Sequence, residues 1–192
     1  MIDLIKKIRE RTGAGVVAIK KAIDEVGKNE EKIIEVLRKS GQSKAAKKAS
    51  REAKEGVVVS YVHSNNRVAA LVKLLCETDF VARNEEFQQL AKDIAMQVTA
   101  MNPKFIKPED VSNEIIEKEK EIWQAQLMAE GKKPDMIEKI IVGKEKKFRE
   151  ESALLTQAFV KNPEITVGEL IIEKIGKIGE NIQIGEIARF EL

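Results

Sequence analysis

Apolar residues open the chain at helical spacing, with Ile2, Leu4, Ile5 and Ile8 on one face until Gly13 and Gly15 interrupt. A second set, Val16, Ile19, Ala22, Ile23 and Val26, runs up to Gly27, placed just beyond a helix end. Asn29 then offers an N-cap, Glu30 and Glu31 follow in the first turn, and Ile33, Ile34 and Leu37 share a face. The pattern predicts three short helices with tight connections. A bundle of roughly fifty residues is marginal alone, so it is expected to lean on the rest of the chain.

The segment 40–56, SGQSKAAKKASREAKEG, is poor in core formers and predicts a solvated helix and linker. The period then changes. GVVVSYVHSNNRVAALVKLLC alternates at Val57, Val59 and Tyr61, and again at Val68, Ala70, Val72 and Leu74, so it predicts two strands around the turn 63–67. Helical spacing returns behind Asn84, with Phe87, Leu90, Ile94, Val98 and Met101 on one face. Two charged helices, about 112–130 and 134–148, are joined by Gly131-Lys132-Lys133. Their narrow stripes set Ile115, Ile116, Ile122, Trp123 and Leu127 against Ile137, Ile140, Ile141 and Phe148, as in a projecting antiparallel hairpin. A short helix from about Thr166 and a last strand, NIQIGEIARFEL, with Gly185 as a bulge, close the chain. The expected fold class is α+β: an N-terminal three-helix bundle, then an antiparallel three-stranded sheet with helices and the hairpin. The expected boundary separates 1–52, bundle plus basic linker, from 53–192, a core with its hairpin at about 112–150.

Charge changes this picture little. Thirty-four basic residues nearly balance 32 acidic ones over 192 residues, which argues against a polyanion binder. Locally, 38–56 holds seven basic residues and two acidic, but no interleaved aromatics that would stack on bases. Cys76 is the one cysteine, so neither an intrachain disulfide nor a multi-cysteine zinc site can form. Its apolar surroundings predict a buried small hydrophobe. No apolar run reaches the length of a membrane span or a signal peptide core, so a soluble cytoplasmic protein is expected.

Candidate chemistry is sparse. The single histidine, His63, has no HExxH or HxH context, so no metal set is expected. There is no GxxxxGK[ST]. Gly13-Ala14-Gly15-Val16-Val17-Ala18 fits a dinucleotide fingerprint by letter only, because a helix and not a strand precedes it. Glu117, Glu119 and Glu121 fall on an exposed helix and do not make an acid–base pair. The chain is not expected to be an enzyme or to carry a cofactor.

One stretch resists this bland account. LLCETDFVAR begins as a buried strand and then sets Asp79 beside Phe80, one of eight aromatics. Asp79 could cap the following turn with Phe80 in the core. Yet TDFVAR occurs with KKIRERTGAG, KKAIDE, LRKSGQSKAAKKASREAKEG, NPKFIKPEDVS, QAFVKNPEITVGELI and ENIQIGEIARFEL, in order and end to end. Together these resemble the bacterial elongation factor Ts family, in its short form. The resemblance implies a guanine nucleotide exchange factor for elongation factor Tu. It implies that the N-terminal bundle is similar to ubiquitin-associated domains and docks on the partner through Arg11, Thr12, Gly13, Val16, Val17 and Lys20. It implies that Thr78, Asp79, Phe80 and Val81 enter the GTPase near its bound magnesium and dislodge the ion. His63 matches a family histidine that presses on the partner's phosphate-binding region; as a residue alone, it is equally a turn residue. No metal or nucleotide would be held by this chain itself. Longer members have a core of two similar halves and this chain has one, so a homodimer is expected. An RNA-binding protein using the basic segment and a scaffold built on the bundle are the alternatives; Phe80 is expected to be exposed only under the first of these three functions.

Overall fold

A computed structural model describes all residues, 1–192. Helices α1 (Ile2–Thr12), α2 (Val16–Val26) and α3 (Glu30–Lys48) bury Ile5, Ile8, Ile19, Ala22, Ile23 and Ile33 in one cluster. Gly13 ends α1 at φ 64°, a left-handed conformation that costs glycine nothing. Asn29 caps α3 by accepting a hydrogen bond from the Lys32 amide at 3.0 Å.

The remaining elements are strands β1 (Glu55–Val62), β2 (Val68–Cys76), β3 (Ala158–Phe159), β4 (Asn162–Thr166) and β5 (Gln183–Glu191), and helices α4 (Asp79–Ala82), α5 (Glu85–Met101), α6 (Asn113–Ala129), α7 (Pro134–Ser152) and α8 (Val167–Ile178). The sheet is antiparallel in the order β1-β2-β5. This is the expected α+β class. Alternation in β2 buries Ala70, Val72, Leu74 and Cys76, and Phe87, Leu90, Ile94 and Val98 of α5 pack behind them. Asn66 takes φ 54° in the hairpin turn. Lys73 pairs with Glu186 and Leu74 with Ile184, leaving Gly185 as the bulge.

Four expectations change. The linker begins later: α3 continues to Lys48, because Gly41 and Ala45, one helical turn apart, let it lie close on α8. Ala45 thereby joins the large core, and Lys48 Nζ donates to the Gly179 carbonyl. A second, two-stranded hairpin, β3-β4, appears where none was expected. Buried Gln97 of α5 holds it, donating to the Ala158 carbonyl at 3.1 Å and accepting from the Val160 amide at 2.8 Å. Met101 is 48% exposed in the last turn of α5, beyond the edge of the core. Ile122 is 50% exposed. The seam of the α6–α7 hairpin steps from Ile116 to Trp123 to Leu127, and Ile122 sits about 100° around the helix from Trp123. Trp123 instead meets Phe148 edge-on at 5.8 Å.

Candidate functional site

The chain leaves β2 at Cys76 and turns at Thr78, whose extended backbone makes it an N-cap; its Oγ1 accepts from the Val81 amide at 3.4 Å. The cap is Thr78 and not Asp79. One helical turn, α4, follows. Ala82 is buried and Val81 packs partly on the core, so this inward pair turns Asp79 and Phe80 outward. Phe80 is 80% exposed. Its alternative as a core residue fails because Phe87, fully buried, fills that role. Asp79 is partly exposed and pairs with Arg83 at 3.0 Å. The arrangement presents one aromatic ring and one carboxylate on a short, rigid protrusion.

What fixes that protrusion is a cluster of hydrogen bonds. Glu180 Oε2 accepts from the amides of Glu77 and Thr78, each at 3.0 Å, and Oε1 accepts from the Thr78 hydroxyl at 2.7 Å. In return Glu77 Oε1 accepts from the Asn181 amide at 2.6 Å. Asn181 Nδ2 donates to the Arg51 carbonyl at 2.7 Å, and Arg51 pairs with Glu77 at 3.5 Å. Beneath the turn, Cys76 Sγ donates to the Thr78 carbonyl at 3.2 Å. Burial, with a smaller contribution from the nearby Glu180 charge, pushes the Cys76 thiol up to about 11, so it is not a nucleophile at neutral pH. The sequence gave no local signal for Glu180 or Asn181, which act more than a hundred residues away from their partners.

The expected N-terminal surface is present as a surface. Arg11 pairs with Glu30, Thr12 Oγ1 donates to the Ile8 carbonyl at 2.7 Å, and Val16, Val17 and Lys20 lie exposed on α2, away from Ile19 and Ile23. Hydrogen bonds from Lys7 and then Arg11 hold the Glu30 carboxyl below its ordinary range. Gly13 lies against Glu173 and Lys177 of α8. Lys177, with Lys174, reaches Glu86 at the start of α5, at 2.7 Å and 2.6 Å. So α8 bridges the α1–α2 turn to the segment that follows the tip. His63 is not brought to either place. It sits exposed in the β1–β2 turn, 3.4 Å from the Tyr61 hydroxyl, at the far end of the hairpin from Thr78. At about 3.4 Å per residue, the nine residues of β2 put roughly 25–30 Å between them. No group of three or more His, Cys, Asp or Glu side chains is placed to hold a metal, and no helix is long and apolar enough to cross a membrane.

Comparison with known proteins supplies the context for this tip. The family model described as Elongation factor TS matches residues 3–192. The protein named Elongation factor Ts from Thermosipho melanesiensis is 54% identical over 187 residues, covering 97% of this chain and 95% of its own. Those of Carboxydothermus hydrogenoformans and Thermodesulfovibrio yellowstonii are each 51% identical over 190 residues, covering 99% of this chain and 88% and 94% of their own. With agreement of this extent along nearly its whole length, the chain belongs to the elongation factor Ts family.

Proposed function

We propose that Asp79 and Phe80 form the tip with which this chain opens the magnesium site of elongation factor Tu. Family membership carries the general role, guanine nucleotide exchange in translation elongation with elongation factor Tu as partner. The observation that carries the finer assignment is the exposure of Phe80 on a capped, anchored turn, with no partner in its own chain. An apolar ring held in water is available to be buried elsewhere. Thr78 and Val81 set the turn, Phe80 is the wedge, and Asp79 brings a carboxylate to a site that depends on a divalent cation. This chain acts by binding and performs no covalent chemistry.

Magnitudes limit what the tip does alone. Exchange requires that the factor and the nucleotide weaken each other's binding reciprocally. A shift of ~10⁴-fold needs roughly 5.5 kcal/mol of differential binding. Burying one Phe contributes about 1.5–3 kcal/mol. A broader interface must supply the rest, and the exposed surface of Arg11, Thr12, Gly13, Val16, Val17 and Lys20 is its second part, with His63 a third contact. In this scheme residues 1–52 are the docking module, similar to ubiquitin-associated domains, and 53–192 the core that carries the tip and associates as a homodimer. The chain works in the cytoplasm, and neither nucleic acid nor nucleotide is a direct ligand.

Release of labelled GDP from elongation factor Tu tests the assignment. The parent accelerates release, while Phe80→Ala and Asp79→Ala lose at least about tenfold of that acceleration, which corresponds to about 1.4 kcal/mol. Both variants keep the parent's far-UV circular dichroism. Parent-like release by Phe80→Ala would sink the tip assignment.

A further inference from the structure

We propose that Glu180 is the positioning residue of this tip, a proposal that rests on the assignment of Asp79 and Phe80 as the partner-contacting pair. A helix of four residues does not persist by itself, since nucleating one turn fixes several dihedrals for a single hydrogen bond. Phe80 contributes nothing to holding it, being 80% exposed. The turn is held from its N-terminal side by one carboxylate that takes three donors: the Glu77 amide, the Thr78 amide and the Thr78 hydroxyl. Such charge-assisted bonds are the strong ones.

The hydroxyl links anchoring to capping. Thr78 Oγ1 has one proton, and it goes to Glu180. That orientation leaves a lone pair for the Val81 amide, the bond that caps α4. Removing Glu180 therefore frees the exit of β2 and the cap together. The return bond from Asn181 to Glu77, and that from Asn181 to the Arg51 carbonyl, tie the same clasp to the segment leaving α3. The tip is thus fixed relative to the core and to the N-terminal bundle. Glu180 turns inward to its own backbone and touches no partner; it acts through Phe80.

Substitutions separate the roles by chemistry. Glu180→Gln keeps a carbonyl for the two amides but loses the acceptor for the hydroxyl, while Glu180→Ala leaves all three donors without one. GDP release from elongation factor Tu is measured at saturating amounts of the parent, both Glu180 variants, Phe80→Ala and the Phe80→Ala/Glu180→Ala double variant. Glu180→Ala is expected to slow maximal release about tenfold and Glu180→Gln about threefold, with half-saturating concentration changed less than about twofold. Added to Phe80→Ala, Glu180→Ala is expected to slow release no further, because the two share one route. Amide exchange at Thr78 and Val81 should rise in Glu180→Ala while the amides of α5 stay protected. If Glu180→Ala does not fold, the same cycle is run with Glu180→Gln. Parent-like release by the Glu180 variants, with Phe80→Ala slow, overturns this proposal alone. So does an equal slowing by Glu180 substitution in the parent and Phe80→Ala backgrounds. Parent-like release by Phe80→Ala removes the tip assignment and this proposal with it.

Discussion

Phe80 and Phe87 stand seven residues apart and have opposite surroundings: one is 80% exposed, the other fully buried. Their substitution should separate function from stability. Phe87→Ala opens a cavity between α5 and the sheet and should cost about 3–5 kcal/mol in urea unfolding. Phe80→Ala should change stability by less than about 0.5 kcal/mol. A large loss for Phe80→Ala would mean that the ring has a structural role at the surface. Hydropathy alone did not separate the two residues, because each follows an acid or an amide and precedes an apolar or polar neighbour without clear period. The seven-residue context of TDFVAR and its companions did. Glu180 was not legible at all: its donors lie 103 and 102 residues away, and no local pattern marks a carboxylate that will meet them.

Elements with strong periods were legible, including α1, α2, α5, the β1–β2 hairpin and the Gly185 bulge. The second half of α3 was not, since small residues read as linker until α8 is present to pack on them. The β3–β4 hairpin escaped because a two-residue strand has no period to read. Between elements, Glu86 joins α5 to α8. Burial pushes its carboxyl up, but hydrogen bonds from Lys174 and Lys177 outweigh that and hold it below its ordinary 4.5. A carboxyl lowered in the folded state stabilises above its unfolded value, and that contribution is lost as pH falls through the folded value. Glu86→Gln should therefore be less stable than the parent at pH 7 by about 1 kcal/mol, since these groups remain partly exposed. The difference should shrink as pH drops below 4.5. A difference that stays constant with pH would assign the loss to packing. Glu173 runs the other way: burial raises its carboxyl, so its cost is felt at neutral pH and relieved on acidification. At Gly56 a Cβ would lie 2.1 Å from the Leu74 carbonyl oxygen, so Gly56→Ala should disrupt the start of β1 and lower the unfolding midpoint.

At the scale of the molecule, one face of the sheet is covered by α5 and the other is not. Val58, Val62, Leu71 and Phe190, the last 65% exposed, share that outer face. Beside it an open groove of about 480 Å³ runs past Val62, Ala69, Phe190 and Leu192. Strands β1 and β5 are both edges. The proposed homodimer would cover this face. Sedimentation at micromolar concentration should give a dimer for the parent and a monomer for Phe190→Glu, with unchanged circular dichroism; a monomeric parent would contradict it. Two core copies and the N-terminal bundle would then share the binding that Phe80 alone cannot supply. If the tip works on the partner's magnesium, its value must depend on that ion. The deciding measurement is GDP release from elongation factor Tu, by the parent and by Phe80→Ala, across free magnesium concentration. The account predicts a wide gap between the two at millimolar magnesium that closes when the ion is chelated. A gap of constant size at every magnesium concentration would contradict it.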